Sequence, residues 1–305
     1  ISVFAVAAFL VSNLVLAAEP PAPVMGSDKG VIAVVEPNGQ VSWEYRNNFQ
    51  AHDLQVLENG NILLPLGPAR IAEVTRDKKV VWSYESKKTD ENTQRVEVHA
   101  FQRLPNGNTM IAESGNRRIV EVDRDGKIVH QIALVVEHPN PHSDTRMARK
   151  LDNGHYLVCH ESDGKVREYD HDGRVVWTYT LDLAGRPRTP THRGHGTEVF
   201  GALRLENGHT LIATGNGNRV IEVTPEGKTV WSIEHDELPG IELFWVTSLR
   251  VRPNGNLIVG NCHAGPENPQ LFEVTRDKKI VWTFRDFKTF GNDLAIARLL
   301  DDGKE

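Results

Sequence analysis

A segment of about 47 residues recurs along the chain, and this repeat limits the folds open to it more than any other feature. HDLQVLENGNILLPL from His52, HAFQRLPNGNTMIAE from His99, RMARKLDNGHYLVCH from Arg146, FGALRLENGHTLIAT from Phe200 and TSLRVRPNGNLIVGN from Thr247 align, and AIARLLDDGKE from Ala295 opens a sixth copy. The turn residues Asn59, Asn106, Asn153, Asn207, Asn254 and Asp302 are separated by 47, 47, 54, 47 and 48 positions. Each copy continues into a second element, as in RIVEVDRDGKIVHQI or KVREYDHDGRVVWTY. Asn-Gly and Asp-Gly favour tight hairpins, expected here as type I′ turns. Their flanks are β-branched and aromatic, as strands require, and no stretch keeps a helical period. Two hairpins per copy make four strands, a to d from inside to outside. Four-stranded units at this period are propeller blades. The expectation is all-β, a six-bladed β-propeller occupying residues 19–305.

The ends predict how the ring closes. GVIAVVEPNGQVSWEY (Gly30 to Tyr45) is a second hairpin lacking its own strand a, and Leu294 to Leu300 is a strand a lacking its blade. The two should share one blade, with its strand b near Val24 to Ser27, which would seal exposed sheet edges. Trp43, Trp82, Trp177, Trp231 and Trp282 share one position in strand d, and His130 fills it in the third copy. This recurrence predicts packing between blades rather than a carbohydrate platform, with Trp82, Trp177, Trp231 and Trp282 largely buried.

Composition restricts partners and compartment. A net charge of −6 without a long Lys/Arg run argues against nucleic acid. ISVFAVAAFLVSNLVLAA at residues 1–18 is apolar and uncharged and ends in small residues. It reads as a signal peptide with a truncated start, a membrane anchor being the alternative. No later run has spanning length, so a periplasmic or secreted monomer without a membrane span is expected. Cys159 and Cys262 are too few for a disulfide framework and lie on different blades.

Function should sit on one face. The a–b and c–d turns are short and uniform, whereas the b–c and d–a connections vary and carry unusual residues, as functional loops on rigid scaffolds do. Glu137 to Arg146, Leu181 to Phe200 and His235 to Trp245 are the long d–a segments. His52, His99 and Arg146 occupy one repeat position, at the mouth of the central channel on three successive blades. With His195 and His263 they should face a polar depression suited to an anion, a metal or proton transfer. His160, Trp245 and Arg118 complete the candidate ligand-binding residues, Trp245 because it falls in a loop outside the tryptophan pattern. His155, His171 and His209 fall at the opposite turns and read as solvated. Cys159-His160 and Cys262-His263 could serve a divalent metal only by converging with ligands from other blades, since no local zinc spacing is present. DRDG and DHDG lack the full calcium-loop pattern and read as turns.

The second hairpins EVDRDGKIVH, EYDHDGRVVW and EVTPEGKTVW resemble the tryptophan-docking repeat of quinoprotein-like propellers. Paired with HDLQVLENGNILL, they look more like exported six-bladed propellers of the arylsulfotransferase type. That resemblance spans about Gly30 to Asp302. It implies a nucleophilic histidine at the channel mouth, a place that His52 and His99 would take, with Arg146 clamping the anion. Quinoprotein dehydrogenases are larger and eight-bladed and use adjacent cysteines, so a bound quinone is not expected. Two functions follow: a binding scaffold recognising a small anionic molecule, a glycan or a protein through its variable face, or a histidine-dependent enzyme at the mouth.

Overall fold

The computed structural model describes residue 18, residues 20–187, residue 196 and residues 198–301. Its strands form six four-stranded antiparallel sheets, the blades of a six-bladed propeller. Blade 1 takes its strand a from the C-terminal Ile296–Leu299 and its strands b, c and d from Val24–Asp28, Val31–Val35 and Val41–Arg46. Val24 pairs with Leu299 and Ser27 with Ile296, so the two ends of the chain zip together as expected. Blades 2 to 6 follow in chain order, with strands a at Gln55–Val56, Glu97–Arg103, Met147–Lys150, Gly201–Arg204 and Trp245–Val251.

The a–b turns differ from the type I′ expectation. In blade 2, Gly60 N donates to Leu57 O at 2.8 Å and Leu57 N to Asn61 O at 2.8 Å. Asn59 Oδ1 accepts from Asn61 N at 2.9 Å. Gly60 alone takes positive φ, at 79°, while Asn59 does not. This is a type I turn followed by a left-handed glycine, in which the asparagine supplies a side-chain acceptor.

Apolar clusters lie between neighbouring blades. The cluster holding Leu211, Val220, Val246 and Phe272, for example, joins blades 5 and 6. The strand-d tryptophans act as clasps across these seams. The indole N–H donates to the next blade's c–d turn: Trp43 to Arg76 O (2.9 Å), Trp82 to Arg124 O (3.0 Å), Trp177 to Pro225 O (2.6 Å) and Trp231 to Arg276 O (3.0 Å). In blade 3 the place of the indole is taken by His130, which stacks on His171 of the next turn at 4.1 Å. Trp82 and Trp282 are buried, at 8% and 2% exposure. Trp177 and Trp231 are only half-buried, contrary to expectation: among the described residues a single guanidinium lies over each ring, Arg204 and Arg276 at 4.8 Å, where Trp82 has both Arg103 at 4.9 Å and Arg124 at 5.9 Å. Trp282 departs from the pattern. It donates to Glu273 Oε2 at 2.5 Å, and the neighbouring Thr283 N donates to Ala18 O at 3.0 Å.

A second seam of buried strand-c carboxylates was not foreseen. Glu73 meets Arg103 (3.3 Å), Glu121 meets Lys150 (2.5 Å) and Glu168 meets Arg204 (2.6 Å), each cation coming from the following blade. His155 and His209 belong to the same system, 2.7 Å from Glu168 and Glu222 respectively, and are not solvated bystanders. Cys159 and Cys262 are both free and buried.

Candidate functional site

Sixfold repetition places one residue from each blade around the channel mouth, and the divergence of these residues makes the site. Blades 2, 3 and 4 contribute His52, His99 and Arg146; blades 5 and 1 contribute Phe200 and Ala295. In blade 6 a bulge between Val246 and Leu249 shifts the register, and Trp245 fills the gap beside Phe200, Cys262 and Ala295. One half of the mouth is therefore polar and the other apolar. All six side chains are buried.

The polar half is a chain of close polar contacts, hydrogen-bonded from Glu161 through Arg146 and His52 to His99. Arg146 is anchored by Glu161 Oε2, through Nε at 2.7 Å and through Nη2. Its Nη1 lies 3.2 Å from His52 Nε2, and His52 Nδ1 lies 3.0 Å from His99 Nδ1. His99 Nε2 is 3.0 Å from Glu97 Oε2, which also meets His142 Nδ1 at 3.0 Å. The proton positions follow from Arg146, which can only donate. His52 must accept at Nε2, so it carries its proton on Nδ1 and gives it to His99 Nδ1. His99 then holds its own proton on Nε2, facing Glu97. Burial pushes the His52 pKa well below the usual value of 6.5, and the Arg146 charge adds to this. Burial likewise lowers that of His99 to about 4. Both rings are neutral near pH 7 and lend no positive charge for an anion. The contacts of His142 and His99 hold the Glu97 carboxyl well below the usual carboxylate range.

The Arg146 guanidinium bridges the halves, 5.9 Å from the Phe200 ring centre and 5.7 Å from that of Trp245. Trp245 stands edge-on to Phe200 at 5.3 Å and stacks on His263 at 5.0 Å and 15°. It begins strand a of blade 6 rather than lying in a loop. His263 Nε2 meets Asp293 Oδ1 at 2.5 Å.

His52, His99 and Arg146 thus converge, with Trp245 and His263 beside them. His160 does not join them. It ends strand b of blade 4 (Tyr156–His160), where Nδ1 meets Asp144 O at 2.8 Å and Nε2 meets Tyr169 Oη at 2.9 Å. It is a core histidine with both nitrogens satisfied. Arg118 is held by Glu113 (2.6 Å) and Gln131 (3.1 Å), outside this chain of contacts. His195 lies outside the described residues. Glu97, His142, Glu161, Phe200 and Asp293 complete the cluster and were not singled out as site residues, although Glu97 stands two positions from His99 and Glu161 follows His160. A histidine nucleophile needs a ring nitrogen open to substrate. His99 has no exposed side-chain surface, and both nitrogens of His52 are engaged.

The opposite end of the channel is open. A cavity of about 1100 Å³ there is lined by Gln55, Gln102, Arg149, Leu203, Arg250 and Arg298, which share one repeat position. Asp53 is held by Arg149 at 2.7 and 2.8 Å and by Arg298 at 3.3 Å.

Fold and site together define a six-bladed propeller of the PQQ-like repeat class. The family model described as outer membrane protein assembly factor BamB matches residues 27–284, and the chain belongs to that family. No curated protein sequence matches it significantly. Among solved structures, it is similar to a protein of unknown function from Bacteroides caccae, at 24% identity and a TM-score of 0.74, covering 90% of this chain and 97% of that one. It is also similar to virginiamycin B lyase from Staphylococcus aureus (15%, TM-score 0.55, 85% and 83% covered). The WD40 propeller domain of Doa1 is a further match (17%, TM-score 0.56, 79% and 72% covered). These likenesses concern the fold alone. Among the described residues no helix is long and apolar enough to cross a membrane.

Proposed function

We propose that this protein is an exported binding scaffold that docks a protein partner on its b–c and d–a loop face, centred on the channel mouth. The observation that carries this reading is that the mouth is filled by its own side chains. His52, His99, Arg146, Phe200, Trp245 and Ala295 are all buried against one another. Small-molecule sites are concave pockets of roughly 300–1,000 Å³. A cavity among the loops near Asn92, Gly115 and Asp144 has only about 230 Å³. A filled mouth, polar on one side and aromatic on the other, suits the centre of a macromolecular interface. The family description as an outer membrane protein assembly factor supports a partner that is itself a protein. The apolar segment of residues 1–18 supports export.

A photo-crosslinking residue placed at His142, on the loop face, should capture a protein partner in the native host. The same residue at Asp172, on a c–d turn, should not. Equal capture from both positions would reject the loop face. Turnover of an aryl sulfate that disappears in His99→Ala would replace the scaffold with the enzymatic reading.

A second reading keeps a small anion as ligand but moves it to the other end of the channel. The three arginines Arg149, Arg250 and Arg298 line that cavity at one level. Arg149 and Arg298 share Asp53, and Asp301 lies 3.5 Å from Arg250, so a carboxylate, sulfate or phosphate there would bind by competing with these carboxylates for the arginines.

A further inference from the structure

Three groups of metal-donor atoms come together among the described residues: Glu97, His99 and His142; Glu137, His138 and Asp163; Cys262, His263 and Asp293. In the first, the hydrogen-bond chain from Arg146 through His52 fixes a proton on His99 Nε2, the atom a metal would need. In the second, Glu137 and Asp163 are neutralised by Arg167, and Glu137 also by Lys165. In the third, His263 Nε2 also faces a carboxylate, but among the described residues no chain of contacts like that from Arg146 fixes its tautomer, and Asp293 is paired with the histidine rather than with an arginine or lysine.

We propose that Cys262, His263 and Asp293 form a binding site for a thiophilic divalent cation of the zinc class, at the apolar edge of the channel mouth. The donors come from two connections that meet across a blade boundary. Cys262 ends strand b of blade 6 (Leu257–Cys262), and His263 follows it with a φ of 60°. Asp293 lies just before strand a of blade 1 (Ile296–Leu299). Thiolate, imidazole and carboxylate together select a borderline-to-soft ion over magnesium or calcium.

The spacing fits a tetrahedral ion. Bonds of about 2.3 Å to sulfur and about 2.0–2.2 Å to oxygen place those two atoms roughly 3.6 Å apart. Cys262 Sγ and Asp293 Oδ1 are 3.7 Å apart. His263 Nε2 and Asp293 Oδ1, at 2.5 Å, must separate by roughly 0.9 Å to admit an ion. Both side chains are about half exposed and can turn, whereas Cys262 is buried and fixed.

The supporting shell is already built. Asp28 Oδ2 accepts from Gly291 N (2.7 Å) and Asp293 N (2.9 Å), and Gln50 Nε2 donates to Asp293 O (3.0 Å). His263 N donates to Asn292 O at 2.8 Å. Contacts from blades 1, 2 and 6 thus hold the aspartate loop, and Trp245 stacks on the imidazole, as preorganised metal sites require. Three protein donors leave a fourth position open at the mouth. Uptake replaces the Cys262 thiol proton by a sulfur–metal bond and releases that proton to solvent. His263 would bind the ion through Nε2, with its ring proton on Nδ1.

The test is titration of the metal-free full chain with Co²⁺, followed by displacement with Zn²⁺. The expected result is one ion per chain and a thiolate-to-cobalt charge-transfer band. Cys262→Ser should abolish the band. His263→Ala, at a half-exposed position that leaves the core intact, should weaken Zn²⁺ binding by about 100-fold or more, beyond the range usual for outer-shell changes. Cys159→Ser and His142→Ala should bind like the unmodified protein. No charge-transfer band, a band that persists in Cys262→Ser, or loss of binding in Cys159→Ser or His142→Ala would each overturn the proposal.

Discussion

Lowering the pH should unlock His160. Its Nδ1 faces the Asp144 carbonyl at 2.8 Å, so that nitrogen carries the proton and donates. Its Nε2 therefore accepts from the Tyr169 hydroxyl at 2.9 Å. A second proton would create a fully buried imidazolium and force Tyr169 to give up its donor role. Burial accordingly lowers the His160 pKa from 6.5 to about 4, with the charge of Arg167 acting in the same direction. The folded state binds this proton less readily than the unfolded chain. The stability that comes from a neutral His160 is complete above pH 6.5 and is lost as the pH falls towards about 4. The loss runs at about 1.4 kcal/mol per pH unit and amounts to about 2.5 kcal/mol between about pH 7.5 and about pH 4.5. Other groups titrate in that interval, His52 and His99 among them, so a difference measurement is needed. Urea unfolding of the parent and of His160→Gln across the range supplies it. The variant is expected to be less stable at neutral pH, and the gap should narrow by about 2.5 kcal/mol as the pH drops. Curves that stay parallel within about 0.5 kcal/mol would refute the assignment of a neutral, doubly engaged imidazole.

Two further outcomes follow from the geometry. Removing residues from Leu294 onward takes away strand a of blade 1 and leaves the Val24–Asp28 edge unpaired; a truncated chain that melted at the temperature of the full one would contradict ring closure. Arg146→Ala should cost about 3–5 kcal/mol, because it strands the buried Glu161 carboxylate; thermal denaturation would show this as a large drop, and a change below about 1 kcal/mol would mean that Arg146 is not buried as an ion pair.

The architecture was legible because a propeller writes the same local instructions in every blade. Strand content, blade number and the shared blade 1 all follow from repeated turn residues and from a repeat split between the two ends. Residues at equivalent repeat positions could also be placed on a common ring, and His52, His99 and Arg146, grouped on that ground, are in contact in the structure. What the repeat could not reveal is where a local irregularity moves a side chain. The bulge between Val246 and Leu249 carries Trp245 into the mouth. The carboxylates that complete the cluster were hidden for a different reason. Glu97 and Asp293 share a repeat position with Gln50, Asp144, Glu198 and Trp245, so its chemistry varies from blade to blade, and Glu161 lies just past strand b, where only the fold brings it back onto Arg146. His155 and His209 were misread as solvated because strand-c glutamates reach them from within the sheet, a pairing set by register and not by spacing, whereas His171 is exposed as expected.

The strand that completes blade 1 is the last of the propeller's strands to leave the ribosome. Blades 2 to 6 are each continuous in sequence and can form as they emerge, but Val24–Asp28, made near the beginning, has no inner neighbour until Ile296–Leu299 arrives. During most of synthesis the nascent chain therefore carries one sheet edge ready to pair with a stranger. The same arrangement leaves the first and last strands of the propeller adjacent in the finished molecule. New termini cut into a d–a connection between two blades, with the old ones joined, would give a chain in which every blade, blade 1 included, is made in one piece and no edge waits for the last strand.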